Sequence, residues 1–449
     1  MQQINEEQQY PEHMENKSNI ILALGKNGIP LGSLGNCVLV LSKDPNLMNM
    51  FQYNSLTDKI EVEGAWWKRY SSGITDTDVN NIRLYIEQKY ALSSEKNVPR
   101  AIDVIAHQRE YHPIRKRLKE LIWDGKKRIG EMFPRYLGAK RCRYTTVATE
   151  LMLLGGISRI FVPGYKVDTM VCLVDPLQGG GKSTMARFLA ICDEWFVDDI
   201  KNLDRDANYE KLGGHWIVEF SEMLATSNTK TVESIKSFLS RQKDTYRTPY
   251  ERFARDILRQ NIFIGTTNNL DFLPDDKTGN RRFIPIRCDK NKAEKHPLEN
   301  EKETREYILQ VWAEVMAIYQ SGKYSLTFPE ELMPVLEEMQ KQYTPEDSRI
   351  GIIQEWLDRT TYSSVCSIMI YREALNNEFA EPKQWKLRDI NSIMNNRIKG
   401  WKKHPTSDSK VRFAKYGKQR AWDRISSPTN KSQDGFVEIA PNDEPLPFS

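Results

Sequence analysis

The residues best suited to chemistry lie in one stretch, MVCLVDPLQGGGKSTMARFL, from Met170 to Leu189. Three consecutive glycines, Gly179, Gly180 and Gly181, precede Lys182, Ser183 and Thr184. Glycine lets backbone N–H groups close around phosphate oxygens with no side chain in the way. A lysine and a hydroxyl directly after such a turn suit a nucleoside triphosphate. Lys182 would reach the β- and γ-phosphates and Ser183 would ligate Mg²⁺, with Gln178 and Thr184 completing the binding stretch. The usual pattern has a glycine five residues before the last one. Here that position is Pro176, whose fixed φ can still open the turn.

Hydrolysis also needs carboxylates, one for the metal shell and one to polarise the attacking water. GGHWIVEFSE, 213–222, reads as an apolar strand ending in Glu219 and Glu222. Three residues apart on a regular strand, they would point to opposite faces, so both serve only if the strand ends between them. Which is metal-side and which is base stays open. QNIFIGTT, 260–267, reads as another strand, and Asn268 at its C-terminal end is the candidate γ-phosphate or water sensor. Arg281 and Arg282 open a strand, RRFIPI, and one of them is the candidate finger for a neighbouring subunit's γ-phosphate. Before the sensor, Lys243, Arg247, Arg252 and Arg255 interleave with Tyr246, Tyr250 and Phe253 around a Thr248-Pro249 turn. Cations with aromatics there suit a nucleic-acid backbone and its bases.

These residues need a scaffold. Met170–Val174 reads as a buried strand, and Met185, Phe188 and Leu189 carry helical spacing. That helix adds its N-terminal partial charge to the phosphate site. The 449 residues suffice for about three domains. Residues 1–18 read as a disordered N-terminus and 19–111 as a small α+β domain. Within it, Cys37–Leu41 fits a strand or a short helix, a turn leads into Ile60–Val62, and Thr75 to Asp78 offer N-caps for a helix over Val79–Tyr90. The aromatic and basic run at Trp66 to Tyr70 reads as local core beside a solvated pair. Residues 112–290 form the ATPase core and 291–345 a helical lid, with Thr304 as N-cap of a helix to Tyr319. Residues 346–424 show three helices, the second over Ile370–Phe379, and then a hairpin. That is the order of a winged helix-turn-helix. From Lys383 to Arg424 there are 13 Lys and Arg against 3 acids. This surplus exceeds the whole chain's +4 and is the footprint of phosphate-backbone binding. Lys402, Lys403, Arg412 and Lys415 are its candidate contacts. Residues 425–449 read as a disordered tail.

Bulk properties narrow the class. No apolar run approaches 18 residues, so no membrane span is expected. The polar N-terminus lacks the apolar stretch of a secretory signal. Six scattered cysteines form no C-x-x-C, which points away from zinc or a disulfide framework and towards the cytoplasm.

The ordered series LVDPLQGGGKST, WIVEFSE, IKSFLSRQKDTYRTPYERFARD, FIGTTN and TGNRRFIPI resembles the virulence-associated protein E family, phage- and island-encoded ATPases related to superfamily 3 helicases. FQYNSLTDKIEV, VIAHQREYHPIRKRLKELIWDG and ISRIFVPGYKVDTM extend the resemblance to about residues 35–290. It implies an α/β fold of the AAA+ or superfamily 3 type, and DNA replication as the setting. Lys182 and Ser183 match the phosphate-loop Lys and Ser, Glu219 and Glu222 the acidic motif, Asn268 the sensor, Arg281 or Arg282 the finger. Lys243 to Arg255 takes the place of the pore-lining DNA motif. Larger relatives carry a primase ahead of the ATPase; no primase-like carboxylate cluster is present here. The expected protein is an ATP- and Mg²⁺-dependent helicase, a homo-hexamer translocating on single-stranded DNA, with origin duplex, a primase or other replication proteins as further partners. The alternative is an ATP-switched initiator or regulator that binds DNA without unwinding it, and a further class is a non-helicase enzyme such as a packaging motor or a small-molecule kinase.

Overall fold

A computed structural model of the chain describes residues 20–198, 200, 211–221, 229–246, 255–273, 280–345, 347–406 and 408–425. The chain divides into two units, 1–345 and 346–449.

The first unit opens with a small lobe. A helix over Leu34–Lys43 resolves the ambiguity at Cys37–Leu41, capped by the Ser33 hydroxyl on Asn36 N–H. It packs on the Asn97–Gln108 helix against β1 (Phe51–Asn54), β2 (Lys59–Val62) and β3 (Glu110–Tyr111), in sheet order β2-β1-β3. The helix Asp76–Tyr90 starts in a capping box between Thr75 and Asp78. Asp78 is buried and accepts from the Trp67 indole at 2.6 Å and from Arg69 at 2.8 Å. In the Trp66–Tyr70 run Trp67 is therefore core and Trp66 half-buried, but the basic pair is split: Arg69 is half-buried on Asp78, while Lys68 stands in solvent with Tyr70.

A five-stranded, all-parallel sheet forms the rest of the unit's centre. Its strands are β4 (Met170–Val174), β5 (Phe196–Val197), β6 (Ile217–Phe220), β9 (Ile262–Thr267) and β10 (Phe283–Arg287), in the order β10-β4-β9-β6-β5. The four longer strands are apolar nearly throughout because both faces are covered. Alternate side chains sort into two cores. Val171, Leu173, Ile217, Ile262, Ile264, Ile284 and Ile286 join the helices Arg143–Phe161, Lys182–Leu189 and Glu301–Ser321. Met170, Cys172, Val174, Val218, Phe220, Phe263 and Phe283 pack with Ile235, Phe238 and Leu239 of the Thr229–Leu239 helix. Between that helix and β9 the chain makes an antiparallel hairpin, β7 (Lys243–Tyr246) with β8 (Arg255–Leu258). Two buried arginines anchor its base. Arg259 clasps Asp244 with two hydrogen bonds and stacks on Phe238, while Arg159 donates to the carbonyls of Tyr165, Val167 and Asn261.

Two local expectations change. Asn300, not Thr304, caps the 301–321 helix; Thr304 is buried and its hydroxyl donates to Pro297 O and Asn300 O. Arg281 and Arg282 lie in a single 3₁₀ turn before β10 rather than in the strand.

The second unit carries helices at Ser348–Arg359, Ser367–Met369 and Gln384–Asn396 around a small antiparallel sheet. Its strands are β11 (Ser364–Cys366), β12 (Trp401–Lys403), β13 (Lys410–Phe413) and β14 (Gly417–Arg424), with β14 pairing all three others. The expected helix over Ile370–Phe379 stops at Ala374 as a π-turn, and Asn376 adopts φ 53°. Asparagine is among the few residues that accept this left-handed conformation. Among the described residues no helix is long and apolar enough to cross a membrane.

Candidate functional site

Strand β4 ends at Val174, and the chain then turns over the C-terminal edge of the sheet into the 182–189 helix. Gly179 and Gly181 take φ of 74° and 82°, which a side chain rarely tolerates. Gly181 is also the N-cap of the helix, and a methyl group there would lie 2.6 Å from Pro297 Cδ. Pro176 fits because the turn is held from outside. Asp175 is buried; its Oδ1 accepts from Leu177 N–H at 2.9 Å, closing an Asx turn around the proline, and its Oδ2 accepts from Lys290 N–H at 3.2 Å. Lys290 Nζ adds a bond to Gln178 O at 3.0 Å. Asn268, from the neighbouring strand end, donates to Asp175 O at 2.6 Å and to Leu177 O at 2.9 Å.

Within this frame Gln178, Gly179, Gly180, Gly181, Lys182, Ser183, Thr184, Ser221, Thr266, Thr267, Asn268 and Asn269 line one cavity of about 480 Å³. Lys182 is buried, its ammonium 3.3 Å from Asp175 O, and burial pushes its pKa down. Ser183 Oγ donates to Glu219 Oε1 at 2.6 Å, and Thr266 donates to the same oxygen. Glu219 is 1 % exposed, and burial raises its pKa against the lowering effect of these two hydroxyls. A desolvated ammonium in the cavity wall, with a desolvated carboxylate directly behind the Ser183 and Thr266 hydroxyls, suits a ligand that supplies both negative oxygens and a cation.

The seven loop residues named from sequence, together with Glu219 and Asn268, thus come together. Glu222, Arg247, Tyr250 and Arg252 lie outside the described residues, as does the side chain of Arg255. Strand β6 ends at Phe220, between the two acids as the spacing required. Lys243 is exposed on β7 and ion-paired across the hairpin to Asp256. Arg282 donates to Ser240 Oγ at 3.0 Å, whereas Arg281 is exposed. In the second unit Lys402 and Lys403 stand exposed on β12, Arg412 on β13 and Lys415 in the turn before β14.

Asp175, Thr266 and Lys290 were not singled out from sequence. Asp175-Pro176 carried a signal, since aspartate before proline starts turns. Thr266 reads as one more strand residue, and Lys290 as the last residue of the 112–290 core segment, with no pattern around it that marks a contact.

Residues 118–345 match the virulence-associated protein E-like domain. Two solved structures of the NrS-1 C-terminal region, both apo A forms, are similar to this chain at 14% and 13% identity. They cover 83% and 84% of it and 96% of their own length, each with a TM-score of 0.41. No curated protein matches. Because the matched domain takes up more than half of its length, the chain belongs to the virulence-associated protein E-like family.

Proposed function

We propose that the chain is an ATP-hydrolysing DNA helicase of the superfamily 3 type, acting as a ring, a hexamer, in replication of a phage or another mobile element. The observation that carries this reading is the Ser183–Glu219 hydrogen bond, which joins the glycine loop to the acidic strand at the wall of the cavity that Lys182 and Ser183 line. The N–H groups from Gly179 to Thr184 would cradle the triphosphate, and the Lys182 ammonium, short of water, would gain a counter-charge there.

Mg²⁺ fits the donors present. Ser183 and Glu219 offer only oxygen, and no group of three His, Cys, Asp or Glu converges among the described residues, as suits an ion that keeps phosphate oxygens and water as its other ligands. When bound, the ion neutralises charge on the β- and γ-oxygens. Its partnership with Ser183 supports a reading in which Glu219 stands on the metal side and Glu222 serves as the base. Asn268 holds the loop's first turn and would register the γ-phosphate. Arg281, free of the bond that ties Arg282 to Ser240, is the better finger. The β7–β8 hairpin precedes β9, at whose far end Asn268 sits, so a shift at the phosphates has a strand along which to reach the hairpin that carries Lys243. The second unit, read as a winged helix, would grip DNA through Lys402, Lys403, Arg412 and Lys415.

The test measures ATPase rate with and without single-stranded DNA, beside displacement of a labelled strand. DNA-stimulated hydrolysis with displacement, both lost in Lys182→Ala, is expected. Oligomers on duplex DNA without displacement would favour the initiator reading, and hydrolysis indifferent to DNA would remove both.

A further inference from the structure

Two aromatic rings of the second unit stand in solvent, Phe379 between the acids Glu378 and Glu381 and Trp385 among cations. Phe379 is 100 % exposed, in the loop after the π-turn, and Trp385 is 55 % exposed in the first turn of the 384–396 helix. Lys386 Nζ lies 5.7 Å from the Trp385 ring centroid and 5.4 Å from that of Tyr371, and it donates to the Tyr371 hydroxyl at 3.5 Å. Tyr371 is buried, so the ammonium is held between a fixed ring and the exposed one. Lys383 and Arg388 are exposed on either side of Trp385.

A flat ring held beside several cations matches the two halves of a nucleotide: the base for the ring, the phosphate for the cations. An apolar protein ridge would have to bury those cations, at a cost in desolvation. Duplex DNA shows base edges in its grooves and keeps its base faces stacked on each other. Only an unpaired base offers a face.

We propose that Trp385 is a stacking platform for unpaired bases, so that this unit takes single-stranded DNA or the open end of a fork. The proposal rests on the DNA-binding reading of the unit and names the form of DNA it holds. Lys402 and Lys403 would hold phosphates of either form.

Full-length protein is titrated against a single strand carrying 2-aminopurine and against the same sequence as a blunt duplex, at fixed salt. Trp385→Ala should weaken single-strand binding about tenfold, with loss of 2-aminopurine quenching, and leave duplex binding within about twofold. Trp385→Phe should restore most of the affinity, because a ring is still present. Lys402→Ala with Lys403→Ala should weaken both forms alike. If Trp385→Ala weakens duplex and single strand equally, the helix reads paired DNA and the platform is overturned. If it changes neither while the lysine pair still matters, the platform fails and DNA binding by the unit stands. If the lysine pair changes neither form, the DNA-binding reading fails and the platform with it.

Discussion

The glycine-loop cavity and the basic face of the second unit are built on opposite terms. Around the cavity the two buried carboxylates are each partnered more than once: Glu219 accepts from Ser183 and Thr266, and Asp175 is bonded through both carboxylate oxygens as well as its carbonyl. Lys182 and Glu219 are almost fully buried. On the basic face, Lys402, Lys403, Arg412 and Lys415 stand in water. On the proposed function, the contrast follows from what each would bind. A reacting phosphate needs charges fixed to within about half an ångström in a poorly screened site. A DNA backbone repeats its charge along its length and can be held by mobile cations acting through counterion release. Point changes should therefore be severe in the first region and graded in the second.

The contrast is tested most sharply at Lys182. Lys182→Ala should cut ATP turnover about 10³-fold, with thermal unfolding essentially unchanged. A residual rate within tenfold of the parent would remove Lys182 from the chemistry. Gly181→Ala comes next. The methyl group would meet Pro297 on a backbone with positive φ, so triphosphate affinity in a binding titration should fall about 100-fold and Tm should fall as well. Full retention of both would mean that the 289–297 segment does not brace the loop. Asn268→Ala should free the turn around Pro176 and lower kcat about tenfold, more than it changes nucleotide affinity. The opposite split would make Asn268 a binding group only.

In the second unit, Lys402→Ala with Lys403→Ala should weaken DNA binding by about tenfold near 0.1 M salt and reduce the salt slope by about 2. An abrupt, salt-independent loss would break the comparison, because it would mean a built site instead of a charged face. The smallest effect belongs to the N-terminal lobe. Asp78→Asn should cost about 2 kcal/mol in denaturant unfolding and leave ATPase unchanged. Hydrogen bonds from Arg69, Trp67 and Thr75 outweigh the effect of burial and pull the Asp78 pKa down to about 2. Its contribution to stability is therefore present above about pH 4 and is lost as pH falls towards 2, which a pH series of unfolding curves in parent and variant would show. Equal acid sensitivity of the two would set the Asp78 network aside.

Much of the fold is legible in the sequence because local physics fixes it. Five apolar residues before a glycine turn read as a buried strand, and β4 is one. The amphipathic run before Gly322 reads as a helix, and the helix spans Glu301–Ser321. The failures are also local. Strands β11 and β12 have three residues each, too few to show alternation, and the π-turn that ends at Ala374 follows a stretch with ordinary helical spacing.

The sequence by itself determined the type of loop, its place between strand and helix, and the concentration of charge after Lys383. Those features depend on neighbouring residues and on residue type. Only the tertiary structure decided that Ser183 bonds Glu219, that Thr266 shares that carboxylate, and that Asp175, Lys290 and Asn268 hold the turn that Pro176 replaces. Each of these contacts, apart from the Asx turn within Asp175–Leu177, joins residues 36 or more positions apart. Their distances are set by strand order and register in a parallel sheet, which no local pattern encodes.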